Sequence, residues 1–292
     1  IYSKGDTISY YVASFQSKND ISIGQVLRRL PGITVSDAGQ ISYKGQPIKN
    51  FYIEGLDLMK GRYGIATNNI DPNSISTIEV LENHQDIKAL KDLKPEERAS
   101  INLKLKSGVK GVFNLIATLG GGYVDKLLWD NELITTYFQR NSQLLATYKG
   151  NNSGTDLESE LRSHTDYDYS RTSTISDIAM PATPGINKRY YYFNRSHSAT
   201  YNQVFRVGKN GELGINAAYL NDRDERSNQS VTTTLLPDGS KNVVDESFNG
   251  ILHRNIANGN ITYMQNTERN YIKEQLKFDW LSTDGYSNIY AG

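Results

Sequence analysis

Glu54 and Asp57 stand three residues apart at the end of a predicted strand, so an acid–base pair and a turn-forming pair are both open for them. The four histidines, His84, His164, His197 and His253, show no metal-ligand spacing, and no two are related by i, i+4. No metal site is expected. Gly120-Gly121-Gly122 follows one predicted strand and precedes another, so it lacks the helix that a phosphate loop requires. With no cysteine in the chain, disulfides, thiolate zinc sites and cysteine nucleophiles are excluded together. Neither an enzyme nor a bound cofactor is expected.

Among the 292 residues, 32 Lys and Arg balance 32 Asp and Glu, so no global field recruits nucleic acid. No apolar stretch approaches the roughly 18 residues of a membrane helix. Tyr is the outstanding residue, with 20 copies against 8 Phe and 2 Trp. Transmembrane barrels share this mean polarity, because only alternate residues of each strand touch lipid. Composition leaves a polar extracellular β-protein and a membrane barrel both open. The chain begins at Ile1 without a basic and apolar leader and ends just after a predicted strand, so both ends read as cuts.

Residues 1–107 have the pattern of a small α+β domain. Ser22-Ile23-Gly24-Gln25 has the form of a capping box, and Ile23, Val26, Leu27 and Leu30 then make one helical stripe that Pro31-Gly32 stops. Strands are predicted at 33–35, 40–43, 51–55, 76–81 and 99–106, with a helical turn or two at 87–93. Asp71-Pro72 supplies an N-cap and an N1 proline for a short helix. The blocks Val26-Leu27-Arg28-Arg29-Leu30-Pro31-Gly32-Ile33, Gly39-Gln40-Ile41, Tyr52-Ile53-Glu54-Gly55-Leu56-Asp57-Leu58 and Ile75-Ser76-Thr77-Ile78-Glu79-Val80-Leu81, in this order, resemble the plug of TonB-dependent outer-membrane transporters. The match gives Glu54 and Asp57 a structural or loop role. Two departures mark a divergent branch: Glu54 stands where many plugs carry Asp, and 88–106 replaces the usual closing segment, with Ile101-Asn102-Leu103 in its last strand.

Residues 108–292 read as the start of an antiparallel transmembrane β-barrel of about seven strands, left incomplete, since small closed barrels of about eight have no room for a plug. Phe113, Leu115, Ala117 and Leu119 alternate with Asn114, Ile116, Thr118 and Gly120, and Leu213, Ile215, Ala217 and Tyr219 with Gly214, Asn216, Ala218 and Leu220, a period of two. Ile272, Leu276, Phe278 and Trp280 share one face, with Lys273, Gln275, Lys277 and Asp279 on the other. Tight turns are predicted at 140–141, 208–211 and 265–269, and long polar excursions at 150–188 and 221–255. Short turns on one rim and long loops on the other are the layout of outer-membrane barrels. Tyr137, Phe138, Tyr201, Phe205, Tyr263 and Tyr271 are expected as an aromatic girdle near the short-turn, periplasmic rim. Trp129, Tyr191 and Trp280 are expected near the other. Arg195 and His197 fall on the presumed outward face, which requires that part of the strand to stand above the hydrocarbon. The stretch 150–177, rich in Ser, Thr, Asp and Tyr, suits either a disordered loop or a ligand lid.

The resemblance implies active import of a solute across a Gram-negative outer membrane, with the plug gating the barrel. It implies as partners TonB with its inner-membrane energising complex, an extracellular solute, outer-membrane lipid and a surface lipoprotein. The turn 36–39 and the segment 59–69 match positions where such plugs turn at the outward apex, which makes Asp37, Arg62 and Tyr63 the candidate ligand contacts. Arg62 can bond oxyanions bidentately, and Tyr63 offers a flat apolar face with a polar tip. Bracing the plug against the barrel wall is the competing role for these side chains. The competing function is a secreted β-rich binding protein or adhesin with a plug-like module. The exterior of strands 112–292 discriminates: a continuous apolar belt favours import, a polar exterior the adhesin.

Overall fold

A computed structural model describes residues 1–291 other than 92, 95, 165–177 and 187, and most of them lie in three β-sheets. The N-terminal region opens on β1 (Tyr2–Lys4) and β2 (Thr7–Tyr11), strands too short to show a period in sequence. Helix α1 (Ile23–Leu27) buries Ile23, Val26 and Leu27 completely, each contributing about 1.5–3 kcal/mol of transfer free energy. The expected capping box is not formed. Ser22 makes no side-chain cap bond, and Gln25 Oε1 instead accepts the Ile21 N–H at 2.7 Å, one residue outside the cap.

Strands β3 (Ile33–Val35), β4 (Ile41–Tyr43) and β5 (Gln46–Pro47) form a three-stranded sheet. Then come β6 (Phe51–Ile53), helix α2 (Tyr63–Asn69), β7 (Ile75–Leu81) and β8 (Ser100–Leu105). The larger sheet has the order β1-β2-β7-β8-β6, antiparallel except between β6 and β8. Asp71 caps the 3-10 turn Pro72–Ser74 as its sequence predicts, accepting the Asn73 N–H at 2.8 Å. Helix α2 falls in a stretch read as an apical loop. Its Gly, Asn and Thr content is poor for an isolated helix, and burial of Tyr63, Ile65 and Ala66 overrides that propensity.

Strands β9 (Phe113–Tyr123), β10 (Leu127–Phe138), β11 (Ser142–Asn151), β12 (Phe193–Val207), β13 (Gly211–Leu235), β14 (Lys241–Asn266) and β15 (Tyr271–Ala291) form one sheet. Each strand is antiparallel to the next in sequence, and the sheet is open, with β9 and β15 at its edges. The shortest strand has 10 residues and the longest 26. Soluble sheets mostly use strands of about 5–6, whereas a tilted membrane crossing takes about 9–11.

The connections correct one expectation. The excursion predicted at 221–255 is strand almost throughout, a long hairpin closed at Leu236-Pro237-Asp238-Gly239. There the Gly239 N–H bonds Leu236 O at 2.9 Å and Gly239 is left-handed at φ +84°. Pro in the second position and Gly in the fourth are a type I turn signal. The hydroxyl and amide side chains around it hide the strands, because they pair across the ribbon without any apolar alternation. Within this sheet of described strands only the connection from β11 to β12 is long. Its residues 165–177, within the stretch read as a loop or lid, lie outside the described residues.

Candidate functional site

Unbroken register through β9–β15 places outward side chains in rows that cross the whole sheet. One row is Ala117, Leu133, Tyr148, Ala199, Tyr219, Ala257 and Trp280. The next is Leu115, Thr135, Ala146, Tyr201, Ala217, Gly259 and Phe278. The third is Phe113, Tyr137, Leu144, Gln203, Ile215, Ile261 and Leu276. Thr135 and Gln203 are the two polar exceptions. Leu115, Leu276 and Phe278 are each more than 60% exposed, so the belt is uncovered by protein. Monomeric soluble proteins rarely expose a patch this continuous, which marks a protein or membrane contact.

Above the belt, His197 stacks on Trp129 with ring centroids 5.2 Å apart, and its Nδ1 is hydrogen-bonded to the Tyr148 hydroxyl at 2.9 Å. Gly150 makes room for this cluster, since a Cβ there would stand 2.9 Å from the Trp129 ring. His197 is thus held by amphipathic rings at the edge of the apolar rows. Phe138 departs from its expected place in the girdle: it points inward and is buried with the core of the N-terminal region.

The inward face is of opposite character. Its middle row reads Asn114, Thr136, Leu145, Asn202, Asn216, Asn260 and Lys277. Several of these polar groups hold the N-terminal region. Gln143 Nε2 donates to Ile53 O at 2.7 Å, and Asn216 Nδ2 donates to Leu58 O at 2.9 Å. Near the short-turn rim, Asn266 Nδ2 donates to Asp86 O at 2.6 Å, and the Lys88 N–H donates back to Asn266 Oδ1 at 3.0 Å. Ile134, Phe138, Leu145 and Val204 join the hydrophobic core beneath, so apolar packing and hydrogen bonds alternate across this interface, with the Lys60–Glu212 ion pair at 3.4 Å beside them.

A strap formed by residues 156–164 of the β11–β12 connection lies between the two. Glu158 accepts from Arg254 Nη1 at 2.7 Å, and the same guanidinium donates to Asp222 at 2.5 Å. Glu160 faces both sides: it accepts from Lys149 Nζ at 2.9 Å and from the side-chain amides of Asn68 and Asn69 at 3.3 and 3.4 Å. The His164 N–H donates to Gly61 O at 2.9 Å, and its ring lies 5.0 Å from that of Tyr63. Burial holds the His164 imidazole below its ordinary pKa.

The three candidate ligand residues occupy different environments. Tyr63 is buried, stacked on Phe51 at 5.8 Å, and burial pushes its hydroxyl pKa up to about 12. It offers no face to a solute in this arrangement. Asp37 is fully exposed, 3.4 Å from Arg28. Arg62 is half-buried beside Asn260, Gln275 and Lys277 of the sheet. The structure does bring the turn 36–39 against α2, but through the glycines Gly39 and Gly64 rather than through these side chains. Glu54 and Asp57 are both spent on backbone: Glu54 Oε1 accepts the Leu105 N–H at 2.7 Å, and Asp57 Oδ1 the Lys60 N–H at 2.9 Å.

On the short-turn side a cavity of about 380 Å³ separates the N-terminal region from the sheet, with Tyr52, His84, Arg206, Glu212, Tyr271 and Lys273 in its wall. Burial raises the Tyr52 hydroxyl pKa and lowers that of His84. No group of three or more potential metal ligands occurs among the described residues.

No protein-family model matches the chain, and no curated protein sequence matches it. Solved structures show a distant likeness. The copper transporter OprC is 10% identical with a TM-score of 0.31, over 99% of this chain and 47% of its own. The ferric enterobactin receptor PfeA from Pseudomonas aeruginosa is 11% identical at 0.33, over 96% and 46%. The ferripyoverdine receptor of the Pseudomonas aeruginosa outer membrane is 14% identical at 0.33, over 98% and 39%. The chain spans about half the length of these receptors or less. At such scores the likeness carries no weight for function, which has to come from the chain's own residues.

The strap went unread in the sequence because Glu158 and Glu160 look like ordinary loop carboxylates. The available signal was Leu157 and Leu161, two apolar residues in a polar run; Leu157 is buried, and Leu161 packs on the core.

Proposed function

We propose that the protein carrying this chain imports a solute across a Gram-negative outer membrane with energy delivered through TonB. Residues 1–107 act as a plug, and residues 108–292 begin the barrel wall that the plug gates. The observation that carries this reading is the pairing of faces on one sheet: three apolar rows outward, and inward the amides of Gln143, Asn216 and Asn266 bonded to the N-terminal region. A wall wide enough for a large solute needs a stopper, and an interface held mainly by hydrogen bonds, with the Lys60–Glu212 ion pair beside them, lets that stopper move, because water can replace each hydrogen bond at small net cost. Solute is taken from the long-connection side, with Asp37, Arg62 and the strap nearest to it, and the short-turn rim faces the periplasm. Outer-membrane lipid surrounds the belt, and a surface lipoprotein is a further partner on the outer side. The apolar exterior counts against a secreted adhesin, which would carry this belt into water.

The test is expression of the full-length protein with its own leader in a Gram-negative host. It should fractionate with the outer membrane, and uptake of its solute should stop when tonB is deleted. Recovery in the medium or periplasm as a soluble species would overturn the reading.

A further inference from the structure

We propose that Lys126, Arg195 and Arg223 form an outward-facing site for the phosphate group of an anionic membrane lipid whose chains lie on the apolar rows. The proposal rests on the reading that the sheet crosses a membrane.

Arg195 and Arg223 stand directly opposite each other in the β12–β13 register. Like charges at directly opposite positions destabilise a sheet, so this pair carries a cost that a shared anion would remove. Arg195 is exposed and has no carboxylate partner among the described residues. Arg223, 38% exposed, bonds Glu225 through Nη2 at 3.1 Å. Lys126 Nζ reaches over the ring of Phe193 at 5.4 Å, and Phe193 shares the outward face with Arg195 two residues on. His253 is opposite Arg223 and Asp284 is opposite His253, so the remaining nearby carboxylate serves the far side of the row.

The position is that of a headgroup. Arg195 and Arg223 lie four residues beyond Ala199 and Tyr219 of the uppermost apolar row, about 13 Å along a strand. At a tilt of about 40° that is roughly 10 Å along the membrane normal, just past the hydrocarbon edge. His197 lies between, stacked on Trp129 and bonded to the Tyr148 hydroxyl, where aromatic rings mark lipid interfaces. Continuity with the belt argues for lipid rather than free phosphate: an acyl chain on Tyr219 and Ala199 delivers its headgroup to these cations. Guanidinium groups suit phosphate because they bond it bidentately.

The test uses the full-length protein, purified in non-ionic detergent and mixed with phosphatidylcholine vesicles, with or without lipid A, or with inorganic phosphate. Retained lipid A is read by native mass spectrometry and stability by melting temperature. The wild type should retain lipid A and melt higher with it. Arg195→Gln/Arg223→Gln should lose retention about tenfold, with Lys126→Gln intermediate. Equal retention by the double variant overturns the proposal, as does an equal shift from inorganic phosphate, which would make this a free-anion site. If the wild type floats with the vesicles but shows no preference for lipid A, the lipid site alone fails. If it does not float with either vesicle, the membrane reading fails with it.

Discussion

A Cβ placed on Gly39 would stand 2.7 Å from the Cα of Gly64, and Gly39 itself is left-handed at φ +79°. Turn and helix therefore touch backbone to backbone, and a Cβ on Gly64 would meet Ala38 O at 2.4 Å. Gly64→Val should cost about 2–4 kcal/mol, because backbone on both sides must move. Urea unfolding of the N-terminal region within the full-length protein measures this, and a midpoint unchanged from wild type would show that the contact yields freely.

The belt predicts an asymmetry between neighbouring positions of two adjacent strands, β13 and β14. Ala217→Arg puts a charge in the middle apolar row, where the cost is about 2–4 kcal/mol, and should impair folding into lipid vesicles. Asn258→Arg, on the inward face beside Asp279, should leave folding near wild type. Equal behaviour of the two variants would contradict the assignment of faces.

Asp20 receives both terminal nitrogens of Arg29, at 2.5 and 2.6 Å, and the Ser17 N–H at 2.7 Å. The hydrogen bonds from Arg29 hold its carboxyl below the ordinary range. The unfolded chain therefore binds this proton more readily, so the contribution is complete above about pH 4 and fades as pH falls through the folded value. Asp20→Asn should lower stability at neutral pH and flatten the acid limb. Parallel pH–stability curves for the two proteins would count against it.

His164 gives the strap a second pH dependence. Burial lowers its pKa, so the neutral ring is favoured in the docked state, in full above about pH 6.5 and progressively less as pH falls below that. Proteolysis within the β11–β12 connection should quicken between about pH 6.5 and pH 5 in the wild type, with little pH response in His164→Phe. Glu160→Gln keeps the shape but loses the charge on Lys149, and should raise cleavage at neutral pH as well.

What was legible in the sequence followed from periodicity and its absence. The belt strands show because lipid-facing alternation is a strong period-two signal, and Ile272 to Trp280 falls in register as read. The upper halves of β13 and β14 do not show, since Ser, Thr, Asn and Gln on both faces carry no period; Pro237-Asp238-Gly239 alone pointed to the hairpin. Tyr63 looked like a ligand-facing aromatic because flanking glycines imply an open loop. The same glycines let Ala38 and His164 close over it, a long-range packing effect that no local pattern records. The Glu160–Lys149 and Arg254–Asp222 pairs likewise join elements that meet only in the folded chain.

The β13–β14 ribbon stays in register for all 25 residues of β13, from Gly211 opposite Gln265 to Leu235 opposite Lys241. At about 3.4 Å per residue it is roughly 85 Å long. Past the level of Glu225, where its pairing with β12 ends, β13 is paired with β14 alone among the described strands. Such a ribbon is stiff along its length and compliant across its flat faces, so it works as a lever arm. Its fulcrum is the point where Arg254, held by Asp222, grips Glu158, and a sideways load on the Leu236 tip becomes a torque on the strap.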